Sequence, residues 1–174
     1  MSLSKAPAPP AIAPAAQTGQ MSNSTAESAS RVIHAPAGEI FDLLIDPVRH
    51  AEFDGSGFVR SADKPHRLAA VGDVFRMNME GEHMGGEYQM DNLVSGFSSN
   101  KLIAWKPAPV GTEPPGWEWL YELEPEGADA TRVTLTYDWS AVTDKALLKK
   151  ISFPLVKPEQ LEDSLASLAS LANG

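Results

Sequence analysis

The chain has 174 residues, of which 43% are hydrophobic and 21% are charged, and this composition is typical of one globular domain with a tail. Its formal net charge of −9 argues against binding to nucleic acid or to anionic membrane surfaces, whose phosphates would repel it. The absence of cysteine excludes disulfides, thiolate chemistry and cysteine-based zinc sites. No apolar run has the length of a transmembrane helix, so we expect no membrane insertion.

Residues 1–28 are rich in Ala, Pro, Ser and Gln, and they carry a single lysine before residue 20. Such a segment buries too little apolar surface to offset the entropy of ordering it, so we predict a disordered leader over 1–28 and one domain over 29–172. A secretory signal is not expected, because prolines interrupt every apolar run, and the cytoplasm is the expected compartment. Met21 is an alternative start.

The first ordered elements are a strand and two short helices. Ser30 to His34 forms a β-branched run that suits a strand, and Pro36 follows where a helix would begin. Asp46-Pro47 gives a second helix start, with Asp as the cap, and this helix is predicted to end near Phe53. The apolar stripe of the first helix is formed by Ile40, Phe41, Leu44 and Ile45.

Strand follows strand from there to about residue 142. Alternating polar and apolar residues, separated by short turns, predict an antiparallel meander with one dry face. The loop PVGTEPPG is too rich in proline to pair inside a sheet. The predicted strands are GFVRSAD, GDVFRMNME, GEYQMDNLVSGF, KLIAWKPA, GWEWLYELEPE and TRVTLTYDWSAV.

The C-terminal part of the chain is predicted to be helical. The segment TDKALLKKI makes a short helix, and Pro154 and Pro158 restart the chain before a longer one. Ala and Ser alternate between the leucines of the longer helix, so it is slim enough to approach a sheet closely. Its apolar stripe is formed by Leu161, Leu165, Leu168 and Leu171.

The segments SRVIHAPAGEIFDLLIDPVRHAEFDGSG, VGDVFRM and LIAWKP resemble the START-like (SRPBCC) superfamily, specifically its polyketide cyclase/dehydrase-type branch, over residues 29–172. The resemblance implies an α+β helix-grip fold. In this fold a curved antiparallel sheet wraps around a long C-terminal helix, and two short helices follow the first strand. It also implies a deep, largely apolar cavity between sheet and helix, where members of the family bind lipids, sterols, hormones or polyketides. Phe53 stands where relatives frequently carry Trp.

Aromatic and methionine side chains on the inward face of the strands are the best functional signal. Trp and Tyr combine a large apolar body with a hydrogen-bonding tip, and Met adapts to varied shapes, so a wall of them suits an amphipathic ligand. The alternative is that these side chains only pack against the final helix, but so slim a helix would leave gaps. The predicted ligand-binding residues are Phe75, Met77, Met79, Tyr88, Met90, Trp105, Trp117, Trp119, Tyr121, Tyr137 and Trp139.

Catalytic and metal sites have weaker signals. In EGEHMGGE, the side chains of Glu80, Glu82, His83 and Glu87 could ligate a metal, but a solvated hairpin tip explains them better, and we predict neither a metal nor a cofactor. Candidates for acid–base chemistry are His83 and Glu87 near one rim of the cavity and Asp54 near the other. Arg76 is predicted to point outward, so no catalytic arrangement can be identified.

Three functions are compatible with this sequence. The first is a binding or carrier protein for a hydrophobic or amphipathic small molecule, and the second is an enzyme of the polyketide cyclase/dehydrase type that uses the same cavity. The third is a protein-interaction module with a vestigial cavity. A carrier predicts an apolar pocket without a pKa-shifted carboxylate or histidine, an enzyme predicts at least one such group in the pocket, and an interaction module predicts a filled interior.

Overall fold

The computed structural model describes residues 24–173, so residues 1–23 of the predicted leader lie outside the described residues. The elements follow the predicted order, and the α+β helix-grip architecture is confirmed. A single 3-10 turn at Glu82–Met84 joins two of the strands. The elements are β1 (Ala26–Ile33), α1 (Ala37–Leu44), α2 (Pro47–Phe53), β2 (Val59–Asp63), β3 (Val74–Gly81), β4 (Gly86–Ser98), β5 (Leu102–Pro109), β6 (Glu118–Pro125), β7 (Thr131–Asp138), α3 (Lys145–Lys150) and α4 (Pro158–Asn173).

All seven strands form one antiparallel sheet in the order β1-β7-β6-β5-β4-β3-β2. The meander runs from β2 to β7, and β1 closes it by pairing with β7 from Ala26 opposite Asp138 to Ile33 opposite Thr131. The pairing of β4 with β5 shifts by one residue between Val94 and Gly96. Because such a bulge bends and twists a strand, it helps to curve the sheet around α4.

The two short helices begin where the proline signals place them. Pro36 precedes α1, and Asp46 caps α2 by accepting a hydrogen bond from the backbone N–H of Val48 at 3.2 Å. Both helices turn an apolar stripe inward. In α2 this stripe is Pro47, His50 and Phe53, so a histidine occupies the middle of a buried face.

One half of the space between sheet and helices is packed solid. The α4 leucines Leu161, Leu165 and Leu168 are almost fully buried there. They belong to a continuous apolar cluster that includes Ile33, Ile40, Leu44, Val94 and Val133. This cluster stabilises the grip of the sheet on the helix.

The loop after α2 is held tightly against the N-terminal half of α4. The Ser164 hydroxyl oxygen accepts a hydrogen bond of 2.7 Å from the backbone N–H of Gly55. A Cβ atom on Gly55 would lie 2.9 Å from the backbone nitrogen of Ser164, so only glycine allows this approach. The contact fixes the neighbouring Asp54 relative to α4.

Candidate functional site

A cavity of about 180 Å³ lies in the other half of the same interface, over strands β2 to β7. Its floor is the inward face of the sheet, and α2 closes one side of it. The α4 helix contributes only Ser164 to the lining, although the resemblance implied a cavity between sheet and C-terminal helix. Most of the opposite wall comes from α3 and the segment that follows it, through Leu147, Ile151, Phe153, Leu155 and Val156.

The structure brings nearly all of the predicted binding residues together around this cavity. Trp139 is the exception: it is buried, and its ring contacts Tyr137 and Phe153 with centroid distances of 5.2 and 6.0 Å. Trp139 therefore supports the lining rings without facing the cavity, and the binding role of all these residues remains a prediction. The predicted residues that line the cavity are Phe75, Met77, Met79, Tyr88, Met90, Trp105, Trp117, Trp119, Tyr121 and Tyr137.

The lining rings are stacked on one another across neighbouring strands. Trp119 lies on Tyr137 with ring centroids 4.3 Å apart and planes 8° apart, which follows from their pairing across β6 and β7. Trp105 stacks on Tyr121 at 5.9 Å. Because packing of this kind restricts ring rotation, the rings of the wall hold one another in place.

A carboxyl group faces the cavity at the C-terminal end of α2. Asp54 Oδ2 accepts hydrogen bonds from the backbone N–H of Ser56, at 3.1 Å, and from the Ser56 hydroxyl. Asp54 lines the cavity, so its carboxyl group is in contact with the cavity space. Burial raises the pKa of Asp54 above its usual range, although the donors from Ser56 and the backbone N–H of Gly57 act in the opposite direction.

His50 is a buried part of the lining that the sequence analysis missed. Its Nε2 atom donates a hydrogen bond of 2.8 Å to the carbonyl oxygen of Leu44, which leaves Nδ1 as an acceptor. The ring stacks on Trp105 at 5.1 Å. Burial lowers the pKa of His50 to about 4, so the imidazole is neutral at physiological pH. The spacing Pro47, His50, Phe53 was the available signal, since it places His50 on the apolar side of α2.

The turn between β3 and β4 folds partly over the cavity. His83 lines the cavity, which agrees with its predicted place near the rim, and Met84 lines it too, whereas Glu87 is exposed and stays outside the lining. The Tyr88 hydroxyl lies 3.3 Å from Nε2 of His83. Desolvation lowers the pKa of His83 and, together with the nearby charge of Asp54, raises the pKa of Tyr88 to about 12.

Arg76 points away from the cavity, as its register predicted. Its guanidinium forms a two-point ion pair with Asp91, with N–O distances of 2.7 and 3.1 Å. Across residues 24–173, no three His, Asp or Glu side chains converge in a way that would hold a metal ion. None of the four helices in this part of the chain combines the length and hydropathy needed to cross a bilayer.

The arrangement can bind a molecule that is mostly apolar and can meet one polar group of it at Asp54. Aromatic and methionine side chains supply the apolar contact area. The carboxyl, the neutral imidazole of His50 and the Tyr88 hydroxyl give this apolar cavity a short polar edge. A buried carboxyl with a raised pKa is also a group that can exchange a proton with a bound molecule.

Comparison with curated proteins finds relatives without a described activity. No family model matches the chain. The uncharacterised protein Rv0088 of Mycobacterium tuberculosis is 36% identical over 114 residues, and protein MT0096 of the same species is 35% identical over the same length. These matches cover 66% of this chain, and the chain spans about half the length of these curated relatives, 47% of each.

Solved structures share the architecture. Protein CV1439 from Chromobacterium violaceum superposes with a TM-score of 0.60 at 18% identity, covering 86% of this chain and 98% of that one. Protein Ms6760 from Mycobacterium smegmatis gives a TM-score of 0.59 at 15% identity, covering 87% and 92%. At such low identity the likeness concerns the fold alone, and by this criterion the chain is a helix-grip protein whose sheet, paired helices and final helix are shared with structures from distant bacteria.

Proposed function

We propose that this protein binds a small, mostly apolar molecule in the cavity between its sheet and the α3 segment. The observation that carries the proposal is the lining of stacked Trp and Tyr rings and methionines around unfilled space. A plain core would have closed that space, because protein interiors normally pack to crystal density. The interaction-module hypothesis requires a filled interior and is disfavoured for this reason.

The size of the cavity bears on the kind of ligand. Its volume of about 180 Å³ lies below the roughly 300–1,000 Å³ of pockets for drug-sized ligands. It is close to the approximately 150 Å³ of an engineered apolar cavity that binds benzene. We therefore propose a ligand with one or two rings, or a short chain of similar bulk. The sequence resemblance and the shared fold support membership of the START-like superfamily.

A matched pair of aromatic variants tests the proposal. The probe is 1-naphthylamine, a neutral two-ring dye whose fluorescence shifts in apolar surroundings. Trp119→Ala removes a ring that lines the cavity, and Phe97→Ala removes a ring outside the lining that packs on Phe41. One lost aromatic contact costs roughly 0.5–1.5 kcal/mol, or about twofold to tenfold in affinity.

We expect that weakening for Trp119→Ala and a change below about twofold for Phe97→Ala, provided that urea unfolding shows both variants to be folded. If the wild-type protein does not bind the dye, nor naphthalene measured by calorimetry, the binding function is refuted. An equal loss of affinity in the two variants would refute the assignment of the site to this cavity.

A second candidate function is acid–base catalysis at Asp54. It is favoured by one observation, that a carboxyl with a raised pKa faces the cavity, which is the feature expected of an enzyme rather than a simple carrier. A cyclase/dehydrase-type reaction needs a proton to be removed next to a carbonyl group. Exchange of the α-protons of cyclohexanone in D2O, followed by NMR, measures that step directly. Exchange no faster than in buffer, or equally fast in Asp54→Asn, would exclude this role.

A further inference from the structure

We propose that the ligand carries an organic cation, an amine or quaternary ammonium group, which is bound between Asp54 and the aromatic rings of the cavity. This inference rests on the proposed binding function and names the chemical class of the ligand. The inference is based on the identity and the positions of the charged groups in the cavity lining.

Asp54 is the sole carboxylate among the described residues that line the cavity. Its Oδ2 atom accepts the hydrogen bonds from Ser56, and the carboxyl group lines the cavity, where a ligand can reach it. Asp54 takes part in none of the ion pairs found between residues 24 and 173, which all join an arginine to another acid. An ionised carboxylate in such surroundings gains most from a cation supplied by the ligand.

The rings around Asp54 suit a cation for an independent reason. The faces of Trp and Tyr rings carry negative electrostatic potential and attract ammonium groups, especially where water is excluded. Tyr88 and Tyr121 line the same cavity as Asp54, and the charge of Asp54 adds to burial in raising the pKa of both hydroxyls. A cation beside Asp54 would therefore meet ring faces as well as the carboxylate.

The remaining charged and titratable groups near Asp54 do not replace such a cation. His50 and His83 both have a pKa lowered by burial, so both are neutral near pH 7. Asp163 on α4 packs against Gly55 and carries negative charge. Lys150, the one lysine of the described lining, is exposed at the mouth, where water screens its charge. The net charge of −9 also favours the approach of cations over anions.

The experiment compares two probes of nearly equal shape by isothermal titration calorimetry. Benzyltrimethylammonium carries the positive charge. Neopentylbenzene, its carbon isostere, has the same shape without the charge. We expect the cation to bind about tenfold more tightly than the isostere at pH 7.5, the ratio that corresponds to one favourable charge contact. Asp54→Asn should remove the preference and leave binding of neopentylbenzene within about twofold.

Two controls separate a local contact from other causes. Asp163→Asn removes the same unit of charge from an exposed position outside the lining, so it should keep the preference for the cation. Cation affinity in the wild type should rise as pH increases through the pKa of Asp54, since only the ionised carboxylate attracts the probe. Protonation of His50 or His83 at low pH acts in the same direction, so the slope is compared with that of Asp54→Asn, which retains both histidines.

Each outcome decides between the proposals. If neopentylbenzene binds and benzyltrimethylammonium binds no more tightly, the cation inference is overturned while the binding function stands. If neither probe binds while 1-naphthylamine or naphthalene does, the cation inference is overturned and the binding function stands, and if none of the four binds, the binding function itself fails. A preference for the cation that survives in Asp54→Asn overturns the role of the carboxylate. Tighter binding of cyclohexanone at low pH than at high pH would instead identify Asp54 as a neutral hydrogen-bond donor and overturn the inference as well.

Discussion

Truncation of two equally buried leucines tests whether the cavity is empty. Both belong to the apolar cluster and each is 1% exposed, but Leu135 on β7 also lines the cavity whereas Leu165 on α4 does not. Truncation of a buried leucine to alanine costs about 2.7–5.0 kcal/mol, and the cost grows by roughly 24 cal/mol for each Å³ of new empty volume. A side chain that already borders a void has fewer contacts to lose.

We therefore expect Leu165→Ala to lower the free energy of unfolding by about 4–5 kcal/mol and Leu135→Ala by only about 2–3 kcal/mol. Urea unfolding measures both, with an unchanged m-value as the condition for comparing midpoints. Leu135→Ala also enlarges the site, so 1-naphthylamine should bind it more tightly than the wild type. Equal losses of stability in the two variants, with no change in dye affinity, would refute the assignment of a void beside Leu135.

Other consequences concern the anchor of α4 and two titrating groups. Gly55→Ala should destabilise the protein by about 1–3 kcal/mol because its Cβ meets the backbone of α4. Gly38→Ala inside α1, where a Cβ would make an ordinary contact of 3.8 Å with the Asn100 side chain, should be neutral or stabilising by up to about 1 kcal/mol. Similar urea midpoints for the two variants would contradict this close approach. Asp54 holds its proton more tightly in the folded protein than in the unfolded chain. The free energy of unfolding therefore falls as pH rises from about 3.8 through the pKa of the folded state. Asp54→Asn should for this reason be more stable than the wild type at pH 7. If Asp54→Asn is less stable than the wild type at pH 7, the expected direction of the Asp54 pKa shift is wrong. As pH falls, His50 is protonated in the unfolded chain before it is protonated in the folded protein, so the stability that depends on neutral His50 is lost from pH 6.5 down to about 4. NMR should find a neutral His50 ring at pH 5.5. A ring that titrates near pH 6.5 would show that it is not buried.

The strands were predictable where one of their faces is buried. Alternation located β3 to β7 within a few residues, because the register of a half-buried strand is fixed by which side chains must leave water. The first strand begins at Ala26 rather than Ser30, since residues 26–29 are small or polar and join the sheet through backbone pairing with β7. The last predicted strand ends at Asp138 instead of extending to residue 142, and Trp139 follows its end.

The floor of the candidate site was also predictable, but its walls were not. Inward residues of β3 to β7 line the cavity as their alternation indicated. The wall formed by Ile151, Phe153, Leu155 and Val156 has no helical or strand period, and its position depends on how the chain crosses the sheet. The contact of Asp54 with the cavity depends likewise on the approach of α4 to Gly55. Such long-range placements are not encoded in local patterns.

One part of the inward face of the sheet packs against the leucines of α4, and another part borders the cavity beside α3. Many lining residues also belong to the apolar cluster, so changing them costs folding free energy, but some lie outside the cluster. Substitutions at these positions can reshape the cavity while the scaffold is kept. A library confined to Met84, Met90, Ile151 and Leu155 would sample new cavity shapes with few unfolded members.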